Sequence, residues 1–149
     1  MIISSLINNN DLFDIVNIGK DSLPIYYNLY HLIKIITNTK YIILKCILND
    51  NIIGFVIIKK YKNNRIHIMS IAFLKIYRGL GYGSILLDKI KELFPNYKIS
   101  LNVQTKNDTA VRFYIKNKFK IKKTIYNYYE ELEFKDAYYC VFTPALVSI

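Results

Sequence analysis

Two cysteines, three prolines, five glycines and no tryptophan occur in a chain of 149 residues. Cys46 and Cys140 stand far apart in sequence, each in an apolar strand-like run, with no histidine pair near either. They read as small core residues. Neither suggests a zinc site, no metal is expected, and a reducing cytosolic or nuclear setting follows as the expectation. Long hydrophobic runs are also missing. The longest, Ile52 to Ile58, holds seven residues including Gly54, against roughly 20 for a membrane span. Met1 to Leu6 lacks a basic flank and meets Asn8-Asn9-Asn10 too soon for a signal peptide. Carboxylates are scarce, 11 against 21 basic residues, giving a net charge of +10. That balance invites nucleic acid, but the basic residues are 18 Lys and only 3 Arg. A nucleic-acid footprint needs clustering on one face. The one dense cluster is Lys116, Lys118, Lys120, Lys122 and Lys123, and its alternation with apolar residues reads as the solvated face of a strand. Nucleic acid is therefore not the expected partner, and an RNA-associated role rests on charge alone.

With glycine so rare, three of the five in one loop are informative. Arg78-Gly79-Leu80-Gly81-Tyr82-Gly83-Ser84 lies between a strand-like run, Ile66 to Ile76, and a helix-like run, Ser84 to Phe94. A helix that opens from such a loop presents free N–H groups and the positive end of its dipole, which suits a phosphate. The glycines let backbone approach a ligand without intervening Cβ atoms. No lysine makes this a P-loop. The next strand ends in Gln104, so no carboxylate stands where a dinucleotide's ribose needs one. A glycine-rich turn without a ligand is the plainer alternative.

The 149 residues fit one domain, 1–149, able to bury roughly 70% of the surface its unfolded chain exposes. Ile2 to Leu6 reads as a strand. Asn10 is the expected N-cap of a helix through Lys20, and Leu23-Pro24 breaks it. Tyr27 to Thr37 reads as a second helix. Tyr41 to Leu48 and Ile52 to Lys60 form a hairpin across Asn49-Asp50-Asn51. A strand over Arg65 to Ile76, the loop and its helix follow, and Phe94-Pro95-Asn96 stops that helix. Next come a strand over Lys98 to Val103, a helix over Asn107 to Asn117 capped by Asn107, and strands over Lys120 to Tyr126 and Ala137 to Phe142. The class is α/β.

The Arg-x-x-Gly-x-Gly loop and this element order resemble the GNAT acyltransferases. More specifically, Leu23-Pro24-Ile25-Tyr26-Tyr27, Arg65-Ile66-His67-Ile68-Met69, Tyr77-Arg78-Gly79-Leu80-Gly81, Asn102-Val103-Gln104-Thr105-Lys106-Asn107, Phe113-Tyr114 and Asn127-Tyr128-Tyr129 resemble the NatE catalytic-subunit (San) type of protein N-terminal acetyltransferase. The likeness runs from about Ile2 to Phe142. Bacterial ribosomal-protein alanine acetyltransferases share the late Tyr-Tyr. The resemblance implies a mostly antiparallel mixed sheet with splayed fourth and fifth strands. It implies acetyl-CoA as co-substrate, held by Ile71, Ala72, Phe73, Arg78, Gly79, Leu80, Gly81, Tyr82, Gly83 and Ser84. Asn107, Ala110, Phe113, Tyr114 and Lys116 would flank it from the other side. Leu23, Pro24, Ile25, Tyr27 and Met69 would wall the acceptor's first residue, and Tyr128 and Tyr129 would hold its backbone. Protein N-termini, an auxiliary subunit and the ribosome are the implied partners.

The implied chemistry is direct attack by the α-amine of an initiator Met followed by an apolar residue. A base takes the proton through water, and Tyr114 protonates the leaving thiolate. The family places a Tyr and a His where this chain has His67 and Asn102. Period 2 puts His67 with Met69 on one strand face, and Asn102 with Ser100 and Gln104 on another. A neutral imidazole with pKa near ~6.5 suits removal of an ammonium proton. Lysine ε-amines, alanine N-termini or a small amine are alternative acceptors. A weakly active acetyl-CoA-binding scaffold subunit is an alternative of another class.

Overall fold

The computed structural model describes residues 1–145. Its elements run β1 (Ile2–Ser4), α1 (Asn9–Ser22), α2 (Leu29–Ile36), β2 (Tyr41–Leu48), β3 (Asn51–Tyr61), β4 (Arg65–Phe73), a 3₁₀ turn (Lys75–Tyr77), α3 (Tyr82–Leu93), β5 (Lys98–Gln104), α4 (Asp108–Lys116), β6 (Lys120–Ile125) and β7 (Ala137–Phe142). The cap of α1 is Asn8, not Asn10. Of the three consecutive asparagines only Asn8 has a carboxylate three residues on. Its Oδ1 accepts from the Asp11 N–H at 2.9 Å while Asp11 Oδ2 accepts from the Asn8 N–H at 2.9 Å. Asn28, capping the His31 N–H at 2.9 Å, starts α2 two residues later than expected and leaves Tyr27 in the loop. Asn49 and Asp50, both with left-handed φ, close the β2–β3 hairpin as a two-residue turn, so Asn51 belongs to the strand.

The seven strands order as β1-β2-β3-β4-β5-β7-β6. Every pairing is antiparallel except β4–β5, which α3 connects and which is parallel. That pairing covers only Arg65–Ile68 against Lys98–Leu101. Beyond it β4 stays with β3 and β5 stays with β7, so the sheet opens between them. Opposite β3, Ser70 pairs with Ile57 and Ile68 with Ile58, which leaves Met69 as an inserted residue. This bulge reverses the alternation along β4. Ile66, Ile68, Ile71 and Phe73 therefore all face one layer, and Met69 and Ala72 face the other.

The two layers have separate apolar cores. Leu86, Leu87 and Ile90 of α3 and Tyr114 of α4 pack with Ile58, Ile66, Ile99, Leu101 and Cys140. On the opposite face Leu12, Ile15 and Ile18 of α1 meet Leu32 and Ile35 of α2 over Ile43, Phe55 and Ile57. A largely buried pair, Lys45 Nζ to Asp11 Oδ2 at 2.7 Å, ties α1 to β2. The edge strand β6 exposes Lys120, Lys122 and Lys123, which discourages edge pairing. Its alternation breaks at Lys122, an inserted residue opposite β7. Among the described residues no helix is long and apolar enough to cross a membrane.

Candidate active site

The glycine loop begins where β4 ends, at Phe73, three residues sooner than the sequence pattern suggests. The chain then makes the 3₁₀ turn, with Tyr77 N–H donating to Leu74 O at 2.9 Å. Gly81 caps α3 with φ of 91°, and Gly79 has φ of 73°; both are left-handed values that favour glycine. A Cβ at either would meet nothing within 4 Å, so this backbone is open to a ligand. The first helical bond runs from Ile85 N–H to Gly81 O at 3.1 Å. The N–H groups of Tyr82, Gly83 and Ser84 therefore have no intrahelical acceptor, and the first turn carries no carboxylate. Gly83 serves packing instead: a Cβ there would stand 2.9 Å from the Phe113 ring of α4.

These features fit the diphosphate of a CoA thioester, and the open β4–β5 seam fits an amide-bearing arm. Met69 is in register with no residue of β3 or β5, and Ser70 Oγ is buried without a partner. Arg78 is hydrogen-bonded within the chain. Its Nε donates to Phe73 O at 2.9 Å and its Nη2 to Ser22 Oγ at 2.8 Å. It thus clips the loop to the end of β4 and to α1. Asn107 caps α4 through the Ala110 N–H at 3.2 Å, and Ser84 Oγ accepts from Asn117 Nδ2 at 3.2 Å.

At the seam's closed end lies a cavity of about 590 Å³. Its lining includes His67, Met69, Ser100, Asn102 and Tyr128. The parallel register sets His67 opposite Ser100, and His67 Nδ1 lies 2.7 Å from Ser100 Oγ. Asn102 Nδ2 stands 3.5 Å from His67 Nε2, and Asn102 Oδ1 is buried with no partner. Burial and then the Lys59 ammonium hold the His67 imidazole below its usual pKa. Near neutral pH the imidazole is therefore uncharged. The charged residues lining the cavity are Arg65, Lys98 and Lys122, all cationic.

The other expected acceptor contacts are partly assembled. Leu23, Tyr27 and Met69 each pack against the α1–α2 core, whereas Pro24 and Ile25 are exposed. Burial, then Tyr41 and Tyr128, push the Tyr27 phenol up. Tyr128 and Tyr129 meet edge to face at 4.8 Å between centroids. Burial pushes Tyr129 up to about 12. Tyr114 is buried between Phe113 and Phe119, and burial raises its phenol further. It is not a titrating group near neutrality. Sequence reading missed Ser100 as a partner of His67, and missed Arg65, Lys98 and Lys122 in the cavity. Period 2 placed Ser100 beside Asn102, but the register against β4 that brings it to His67 is a tertiary fact.

A parallel pair opened beside a glycine-capped helix fits an acyltransferase that draws its acyl group from an acyl-CoA. The chain belongs to the acetyltransferase (GNAT) family, whose model matches residues 11–119. It is 34% identical over 99 residues to N-alpha-acetyltransferase 50 of Danio rerio, covering 60% of this chain and 58% of that protein. It is 35% identical over 97 residues to the probable N-acetyltransferase san of Drosophila melanogaster, covering 60% and 53%. The match thus spans somewhat over half the length of these curated relatives. Arabidopsis thaliana Naa50, solved with the bisubstrate analogue CoA-Ac-MVNAL, superposes with a TM-score of 0.78 at 27% identity, covering 95% of this chain and 97% of that one.

Proposed function

We propose that this protein transfers acetyl from acetyl-CoA to the N-terminal α-amine of proteins, with an initiator Met followed by an apolar residue as the preferred acceptor. The observation that carries the choice of amine is the cationic cavity around a neutral histidine. An α-amine titrates near ~7.7–8.0 and a lysine near ~10.4. Arg65, Lys98 and Lys122 disfavour a bound ammonium, so the amine that sheds its proton more easily is favoured. The likeness to Naa50, whose bound analogue carries a peptide beginning with Met, supports the same acceptor.

Acetyl-CoA supplies the activated acetyl group. The N–H groups of Tyr82, Gly83 and Ser84 hold its diphosphate, and the unpaired edges of β4 and β5 hold its amide arm. Met69, Leu23 and Tyr27 wall the acceptor's first side chain, while Tyr128 and Tyr129 orient its backbone. His67 Nε2 takes the amine proton, directly or through a water that Asn102 Oδ1 accepts from. Tyr114 offers its hydroxyl on the side of α4. No covalent bond to the enzyme is needed. The two buried free thiols, one pushed up to about 12, agree with work in a reducing cytoplasm.

Initial rates on a peptide panel test the acceptor. An apolar wall discriminates among apolar first residues by only ≈1–3 kcal/mol, whereas a desolvated carboxylate without a partner is strongly rejected. Met-Leu peptides should be acetylated readily and Asp-Asp peptides hardly at all. Equal rates would contradict the assignment.

A further inference from the structure

The polar atoms at the closed end of the seam form one line, and its direction is set by which acceptor takes the Ser100 hydrogen. Ser100 Oγ makes two contacts, one of 2.7 Å with His67 Nδ1 and one of 3.4 Å in which it donates to the Ile66 carbonyl. A hydroxyl has a single hydrogen. If that hydrogen goes to Ile66 O, the 2.7 Å contact must run from Nδ1–H to Oγ. The ring then carries its proton on Nδ1 and its lone pair on Nε2. The other end of the ring agrees, since the neighbour of Nε2 is the Asn102 Nδ2 donor, at a loose 3.5 Å.

We propose that Ser100 is a positioning residue of the acetyl transfer: its hydroxyl fixes the tautomer and the plane of His67 and leaves Nε2 as the proton acceptor facing the acceptor cavity. The proposal rests on the reading of His67 as the base. Ser100 is suited to this because β5 is paired to β4 at that point and departs just beyond it. The contact lies on the rigid side of the opening, while Asn102 lies on the open side. When Nε2 takes a proton, Asn102 Nδ2 can no longer donate to it. Once the amide turns over, its Oδ1, unpartnered in this structure, accepts from Nε2–H, and Ser100 keeps accepting from Nδ1–H throughout.

Polar and titratable groups reach the surroundings of the imidazole from every neighbouring element. Lys59 and Tyr61 come from β3, with Lys59 in register with His67. Arg65 comes from β4, Lys98 and Asn102 from β5, Lys122 from β6, Tyr139 from β7 and Tyr128 from the β6–β7 loop. No carboxylate is among the residues lining the cavity, so Ser100 is the neutral acceptor that occupies the place a carboxylate would otherwise take. A serine orients the ring without holding it protonated.

The test combines nitrogen NMR of the His67 ring with steady-state kinetics, using the whole chain, acetyl-CoA and a Met-Leu peptide. The unaltered protein should show the Nδ1–H tautomer. Ser100→Ala should show a mixture, a kcat lowered by less than the roughly 10²–10⁴-fold expected for His67→Ala, and a pH limb moved to lower pH, because an acceptor for the imidazolium is lost. Ser100→Thr should restore tautomer and rate. An Nε2–H ring in the unaltered protein, or Ser100→Ala with the same tautomer, rate and limb, would overturn the role of Ser100 even if His67→Ala is crippled. A normal kcat in His67→Ala would instead overturn the base assignment on which the proposal stands.

Discussion

His67 lies in register with Lys59 on β3 and with Ser100 on β5, so its protonation is set from both sides. Burial and the Lys59 charge lower its pKa. The rising limb of kcat should therefore fall below the ordinary imidazole value of ~6.5. Lys59→Met should move that limb to higher pH, since it removes a cation that disfavours imidazolium; an unmoved limb would assign it to another group. His67→Ala should lose roughly 10²–10⁴ in kcat with acetyl-CoA affinity little changed. Tyr114→Phe should lower kcat and leave the limb in place. The same lowered pKa makes His67 a contributor to stability that is present above ~6.5 and lost as pH falls through its folded value. The faces of His67 and Asn102 were legible from alternation, because each strand is regular at that point. Ser100 was not assigned to His67, since alternation says nothing of which residue on the neighbouring strand stands opposite.

Caps, turns and bulges decide where each element starts and stops. The glycine loop was legible because glycine is scarce and its spacing distinctive. The early end of β4 was not, since Leu74 and Ile76 continue an apolar pattern while the chain already turns. Gly81 has both left-handed φ and open space at its Cβ position, so two substitutions separate strain from charge. Gly81→Ala carries the strained backbone alone and should weaken acetyl-CoA binding; Gly81→Glu adds a carboxylate beside the diphosphate and should abolish it. Titration calorimetry on the folded variants checks this, and undiminished affinity in Gly81→Glu would remove the loop from the cofactor site. The α1 cap makes a prediction about stability. Burial alone would raise the Asp11 pKa, but the Asn8 N–H and Lys45 outweigh it and lower it. Asp11→Ala removes the carboxylate half of the capping box and strands Lys45, whose side chain is only 12% exposed. A loss of about 3 kcal/mol in denaturant unfolding is expected. In the unaltered protein this contribution should be present above ~3.9 and lost as pH falls below it.

In the whole molecule, two helical layers enclose a sheet that parts in the middle. One side of the opening offers free N–H groups for a diphosphate, and the other offers a cation-lined cavity with a neutral histidine. The layer architecture was legible in the order of strands and helices. The cavity's charge was not, because Arg65, Lys98 and Lys122 come from three strands distant in sequence. Eighteen lysines also hide the two that line the cavity. Those cations favour an acceptor that is readily neutral, and this is the central claim. The direct measurement is fragmentation mass spectrometry of one peptide, Met-Leu-Gly-Lys-Gly, after limited reaction with acetyl-CoA. Acetyl on the Met α-amine, with the lysine unmodified until the α-amine is consumed, is the predicted result. Acetyl first on the lysine, or equally on both, would contradict the account.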